Sequence, residues 1–334
     1  MPIRLVRTLA AVALLFSLIA CGGGSKSPQA PTPVPKPPPP PPPWNLPGHV
    51  VATLSGGPVA HATVNAFIAT AESAADGSFT LKTTPAPAGS QAVTVSADGY
   101  RPRETVIKWP RTADLVIDIA STAKPYDETF FNQMARGALE EPEKDYALYR
   151  WSHQMKFYLK TQDEFGRPLE GEALEAVRHG IRKGVQYYAA GTYETIIEEG
   201  TETRPETTGW INVVPRQVIP EGDLCGLSST VGGDPMTIQL RIDRCGCGSI
   251  KISVDLVVHE VGHAAGMFHV TGKNNIMTQD RYLSCRDVVP SEMEQYHARL
   301  IYARPRGNKS PDRDTGEFTL GFHGHDLERP PARP

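Results

Sequence analysis

The residues best placed for chemistry in this 334-residue chain lie between positions 259 and 269: His259, Glu260, His263 and His269, with Gly266 between the last two histidines. If 256–265 is helical, His259 and His263 stand four residues apart, a little over one turn. Both imidazoles then leave the same face and can grip one metal ion. Glu260 is placed beside them to take a proton from a water that the metal activates, the arrangement of a zinc-dependent hydrolase. Gly266 alone of the residue types adopts left-handed angles without a Cβ penalty, so the chain can leave the helix sharply there and swing His269 back as a third nitrogen ligand. Three protein nitrogens leave one coordination position for water. That is the catalytic pattern of zinc coordination, and one catalytic Zn²⁺ is the cofactor expected.

His259, Glu260, His263, Gly266 and His269 match the extended zinc motif of the metzincin metallopeptidases, and Asn274-Asn275-Ile276-Met277 resembles their Met-turn. The resemblance implies zinc on the three histidines, Glu260 as general base and acid, and Met277 as an apolar floor beneath the metal. Some metzincins carry a tyrosine two residues after that methionine. Position 279 here is Gln, so Tyr282 is the nearest weak candidate for an oxyanion donor.

These side chains need a scaffold. The run 154–159 alternates like a first strand, and 171–190 has helical spacing, with Leu174, Val177, Ile181, Val185 and Tyr188 on one stripe. Strands are expected at 193–197, 210–214 and 236–243, with one free edge to receive an extended peptide. The long Gly-rich loop 215–235 is expected to border the cleft. After the Met-turn, Ser291 caps a helix with Glu294 in the capping-box position, running to about 303. The fold class expected is multidomain: an all-β sandwich, then an α+β metzincin-like domain of twisted sheet, active-site helix and C-terminal helix.

The sandwich is read at 48–120. Short β-branched runs at 62–68, 78–81, 92–96 and 115–119, separated by turns such as Asp76-Gly77, suit a small antiparallel β-sandwich. This segment resembles the carboxypeptidase regulatory-like, transthyretin-like module. No catalytic constellation lies in it, and His49 and His61 read as surface residues. The connector 124–145 is polar and tolerant of helix.

Residues 1–20 read as a secretory signal, with Arg4 and Arg7 before an apolar run too short for a permanent membrane span. Its removal takes two positive charges from a net −3 and leaves −5. Leu18-Ile19-Ala20-Cys21 resembles a bacterial lipobox, which implies acylation of Cys21 and an exported lipoprotein held on the membrane surface. Residues 21–47, with seven consecutive prolines at 37–43, are expected to form an extended spacer. At 3.1 Å per residue, 28–43 would reach about 50 Å. The other four cysteines are Cys225, Cys245, Cys247 and Cys285, an even number that reads as two disulfides in an exported chain. Cys245 and Cys247 are too close to pair, so Cys225 is expected to bond one of them and Cys285 the other. The domain plan therefore runs 1–20, 21–47, 48–120, 121–304 and a polar, mobile tail over 305–334, where His323 and His325 carry no assigned role.

Without a basic block, nucleic acid is not an expected partner. The expected function is that of a monomeric zinc endopeptidase acting on protein or peptide, joined to the membrane through its lipid. Its rival is a non-catalytic surface binding protein with a structural zinc site, and a non-peptide amide or ester substrate is compatible with the same motif.

Overall fold

In the computed structural model, residues 39 and 43–315 are described, apart from 68, 85–87, 110, 112, 152, 190, 192–193, 204–208, 221–223, 229–235, 243–244, 246–251 and 279–288. Seven strands come first: β1 (Trp44–Ala52), β2 (Thr63–Ala66), β3 (Ala69–Glu72), β4 (Ser78–Thr83), β5 (Gly89–Ser96), β6 (Arg103–Trp109) and β7 (Leu115–Ile119). They form one sheet of order β4-β1-β7 and another of order β3-β2-β5-β6. Alternation along each strand turns Leu46, Val50, Val64, Phe79, Leu81, Val93, Val95, Ile107 and Ile117 into a shared core.

This β-rich part departs from expectation in four places, the first being its start, since residues 44–47, read as the end of the spacer, pair with β4 as the first part of β1 and bury Leu46. The run 62–68 is not one strand, because the chain reverses at Phe67, whose φ is +56°, and returns as β3. The run 103–109, unassigned in the sequence, pairs with β5 as β6. The sandwich is also not wholly antiparallel, since β1 and β7 run parallel.

A mixed α/β part follows, with α1 (Glu128–Arg136), β8 (Lys156–Lys160), α2 (Gly171–Tyr188), β9 (Ile196–Gly200), β10 (Trp210–Arg216), β11 (Gly226–Ser228), β12 (Met236–Arg241), α3 (Val254–Ala264) and α4 (Glu292–Tyr302). The sheet order is β11-β12-β10-β8-β9, parallel throughout except for the antiparallel edge strand β11. The polar connector contains α1, whose inward face presents Phe130, Phe131 and Met134. Asp127 caps it, accepting from the Phe130 amide at 2.8 Å. The loop 215–235 contains β11, too short to show an alternating pattern. The strand expected at 193–197 is found at Ile196–Gly200.

Helices α2 and α3 pack at backbone distance. A Cβ on Gly180 would lie 2.5 Å from Val257 Cβ, and one on Gly184 would lie 2.5 Å from Val261 Cγ1. The absent side chains on α2 let Val257 and Val261 seat against it, and both flank the metal-motif residues of α3. Strand residues Phe157, Leu159, Ile211, Val213, Ile238 and Leu240 share the same core.

The expectation of a mobile tail from 305 is overturned for 305–315, which are folded. Asn308, Asp312 and Asp314 are buried there. Arg304 donates to Asp312 at 2.8 Å and to Asp118 of the sandwich at 2.7 Å. Arg103 bridges Asp118 at 2.6 Å and Asp314 at 2.7 Å. Polar composition suggested a solvated tail, but each carboxylate meets a cation that offsets its loss of hydration, Arg304 for Asp312 and the distant Arg103 for Asp314. Residues 316–334, with His323 and His325, lie outside the described residues. So do 1–38, including Cys21. Among the described residues no helix is long and apolar enough to cross a membrane.

Candidate metal centre

Helix α3 begins at Ser253, whose hydroxyl accepts from the Leu256 amide at 3.3 Å. Its end is a Schellman motif: the Gly266 amide donates to His263 O at 3.0 Å and the Met267 amide to Gly262 O at 2.9 Å. Gly266 has φ +99°, and a Cβ there would lie 2.5 Å from the Tyr149 carbonyl oxygen. Conformation and space therefore both require glycine at the expected exit. The terminal carbonyls of α3 are also satisfied by side chains, with the Trp151 indole donating to Ala264 O at 2.7 Å and the Tyr302 hydroxyl to Ala265 O at 3.0 Å.

This framework brings the three histidines together. His263 Nε2 lies 3.1 Å from His259 Nε2 and 3.2 Å from His269 Nε2. Each opposite ring nitrogen faces an acceptor. His259 Nδ1 donates to Ile276 O at 2.7 Å, His263 Nδ1 to Met267 O at 2.9 Å, and His269 Nδ1 to Glu140 Oε1 at 2.8 Å. With the protons held at Nδ1, three Nε2 lone pairs converge on one point, a repulsive arrangement that a cation relieves. Nitrogens about 2.0–2.1 Å from a tetrahedral zinc would be separated by about 3.3 Å, so the donor set fits. His263 is held well below the ordinary histidine range, first by burial and then by the neighbouring His259 and His269.

Met277 is fully buried under this cluster. A Cβ on Gly262 would lie 2.3 Å from Met277 Sδ, so the thioether packs directly on the α3 backbone. The Met277 amide donates to Glu294 Oε1 at 2.9 Å, and the Ser291 amide donates to Glu294 Oε2 at 2.9 Å. One carboxylate thus completes the capping box of α4 and pins the turn whose Ile276 carbonyl orients His259.

Glu260 lies against the edge strand of the sheet. It is 4% exposed, and burial pushes its carboxyl up to about 7, opposed by a hydrogen bond from Ser228. Ser228 Oγ lies 2.8 Å from Glu260 Oε2 and 2.9 Å from Glu260 O. A Cβ on Gly226 would lie 2.2 Å from Glu260 Oε1. Strand β11 is therefore a roof laid on this carboxylate. A disulfide joins Cys225, at the entrance to β11, to Cys245, beyond β12. Of the two pairings open to Cys225 in the sequence, this is the one formed. Cys247, Cys285 and Tyr282 lie outside the described residues.

Sequence reasoning missed Glu140, Gly226, Ser228, Gly262 and the second role of Glu294. Of these only Glu294 carried a local signal, the capping box. The Glu140 side chain is 27% exposed; burial raises its carboxyl, but hydrogen bonds from His269 outweigh that and hold it below the usual range.

No curated protein sequence matches this chain. Among solved structures, a chain of a type II cohesin–X-dockerin complex from Acetivibrio cellulolyticus is similar to it, at 24% identity over 22% of this chain, with a TM-score of 0.17. The similarity spans about half (51%) of that chain. Metalloproteinase-II from Bacteroides fragilis is similar at 11% identity, over 76% of this chain and 84% of that one, with a TM-score of 0.30. Scores this low do not establish a shared fold. Residues 45–122, the segment that forms the sandwich, match the carboxypeptidase regulatory-like domain.

Proposed function

We propose that the chain is a zinc-dependent endopeptidase of the metzincin type. The observation that carries this reading is the convergence of three Nε2 atoms, 3.1 and 3.2 Å apart, beside a buried carboxylate that is not one of the ligands. His259, His263 and His269 would hold the zinc. When bound, it would acidify water and polarise a substrate carbonyl.

The chain's own residues supply the rest. The Glu260 carboxylate accepts a proton from the attacking water as the new carbon–oxygen bond forms, and returns it to the amine nitrogen as the carbon–nitrogen bond breaks. Ser228 holds Oε2 of that carboxylate and so fixes how the group is turned. Strand β11 pairs with β12 along one side only among the described residues, so its other side offers main-chain groups to an extended peptide. A structural zinc site would need no carboxylate next to its ligands, which favours the peptidase over a non-catalytic binding protein. The lipobox-like Cys21 and its proline spacer support action at a membrane surface.

The test is Glu260→Ala in the full chain. Zinc content should stay at one ion per chain, while cleavage of a peptide library falls by at least about a thousandfold, since the water loses its proton acceptor. Undiminished cleavage would remove Glu260 from the mechanism.

A further inference from the structure

His259 and His263 are carried by α3, and their Nδ1 protons go to neutral main-chain carbonyls of Ile276 and Met267. His269 stands beyond the helix, past the glycine exit, on a stretch with no regular structure of its own. What fixes it comes from about 130 residues upstream. Glu140 Oε1 accepts both the His269 main-chain N–H and its Nδ1–H, each at 2.8 Å. The residues on either side of His269 are strapped to the same region. The Phe268 amide donates to Met134 O at 2.8 Å, and Gln133 Oε1 accepts from Thr271 N and Oγ1 at 3.0 and 3.1 Å. Gly137, with φ +66°, turns the chain out of α1, and a Cβ there would lie 3.1 Å from the Phe268 ring. That turn brings Glu140 to face His269.

We propose that Glu140 is a positioning residue of the metal centre, whose carboxylate locks the orientation of the third imidazole and makes it the most electron-rich of the three ligands. The inference rests on the reading of the three histidines as a zinc site. Two physical consequences follow from a carboxylate in place of a carbonyl. The ring is held by a charge-assisted hydrogen bond, which is about twice as strong as a neutral one. The negative charge also raises the basicity of the far nitrogen, as carboxylate partners do for metal-bound histidines generally. Because a single oxygen takes both the ring and the main-chain proton, the carboxylate fixes the backbone and the ring of His269 together. Helix α1 is in turn held to the sandwich, since Arg101 donates to Glu128 at 2.6 Å. The brace on the third ligand is therefore continuous with the β-module.

The experiment compares the full chain with Glu140→Gln and Glu140→Ala. Gln keeps the length and an acceptor oxygen but loses the charge; Ala loses both. Zinc dissociation constants are measured by competition with a chromophoric chelator, and the visible spectrum of each protein is recorded after loading with Co²⁺. Zinc binding should weaken about tenfold in the Gln variant and about a hundredfold in the Ala variant, with the cobalt bands displaced in both. Zinc binding within twofold of wild type and an unchanged cobalt spectrum in both variants would overturn the inference. Wild-type affinity in the Gln variant alone would overturn the electronic half of it, leaving only a steric brace. A wild-type chain that takes up neither ion would overturn the metal reading itself, and this inference with it.

Discussion

Gly226 and Glu260 are separated by thirty-odd positions, yet a single methyl group cannot fit between them, because its carbon would sit 2.2 Å from one carboxylate oxygen and 2.6 Å from the carboxyl carbon. The catalytic role proposed for Glu260 depends on where that group points, so Gly226→Ala is a direct probe of it. The added carbon must displace the carboxylate, and a misplacement of about 1 Å can cost about a hundredfold in rate. We expect peptide cleavage to fall ten- to a hundredfold while zinc affinity stays at the wild-type value, since no ligand is touched. Parallel measurement of turnover and zinc content checks this, and unchanged turnover would mean that the carboxylate tolerates being moved. At this scale the cluster of candidate ligands was legible because His259 and His263 share helical spacing and His269 follows a few residues on, past the glycine exit. Gly226, Ser228 and Glu140 were not, because nothing in their own neighbourhoods distinguishes a residue that touches the site from one that does not.

Among the elements, α3 depends on neighbours for more than burial. The close approach to α2 through Gly180 and Gly184 sets the position of Val257 and Val261, and so of the histidines between and beyond them. Two effects compete in Gly184→Ala. Alanine in a helix interior is favoured over glycine by about 1 kcal/mol. Against this, the new Cβ meets Val261 Cγ1 at 2.5 Å and Cβ at 2.6 Å, on a stiff, β-branched side chain. Overpacking of this kind typically costs about 1–3 kcal/mol, so the clash should win. The expected net loss is about 1 kcal/mol in urea unfolding, accompanied by weaker zinc binding as α3 shifts. A variant as stable as wild type would show that the helices can separate without cost. The apolar stripe on α2 was legible from its period, and so was the capping box of α4. That the glycines of α2 mark the contact face was not, because a glycine has no side chain to contribute to a hydrophobic pattern.

For the whole molecule, the decisive feature is a buried ionic seam between the sandwich and the segment after α4. Arg304 is 1% exposed and donates to both Asp118 and Asp312. Burial pushes the Asp312 carboxyl up, but Arg304 beside it, with Arg103 and Arg101 behind, outweighs this and holds it below the usual range. A carboxyl depressed on folding contributes stability that is present above its unfolded value of about 3.9 and is lost as pH falls through the folded value. In Arg304→Met that logic reverses, because burial then dominates and Asp312 is stabilised by gaining a proton. The variant should lose about 3–5 kcal/mol of unfolding free energy at pH 7, the cost of leaving the buried Asp312 carboxylate without the guanidinium that bonds it. The gap to wild type should narrow by pH 5, as Asp312 takes up a proton more readily. Urea unfolding at the two pH values measures both, and a gap that is equal at each would show that Asp312 does not carry the loss.

The sequence by itself determined what local geometry dictates: the metal-motif histidines at helical spacing, the glycine exit, the capped helices and the alternating strands. All of these repeat at intervals of a few residues, and the backbone imposes those intervals. Only the tertiary structure decided that Glu140 meets His269, that Ser228 and Gly226 roof Glu260, and that Asp312 and Asp314 leave solvent for Arg304 and Arg103. Apart from Arg304 and Asp312, which are eight positions apart, those partners are tens to hundreds of positions apart. Coulombic attraction and close packing act through space, and they leave no period in the chain from which such a pairing could be read.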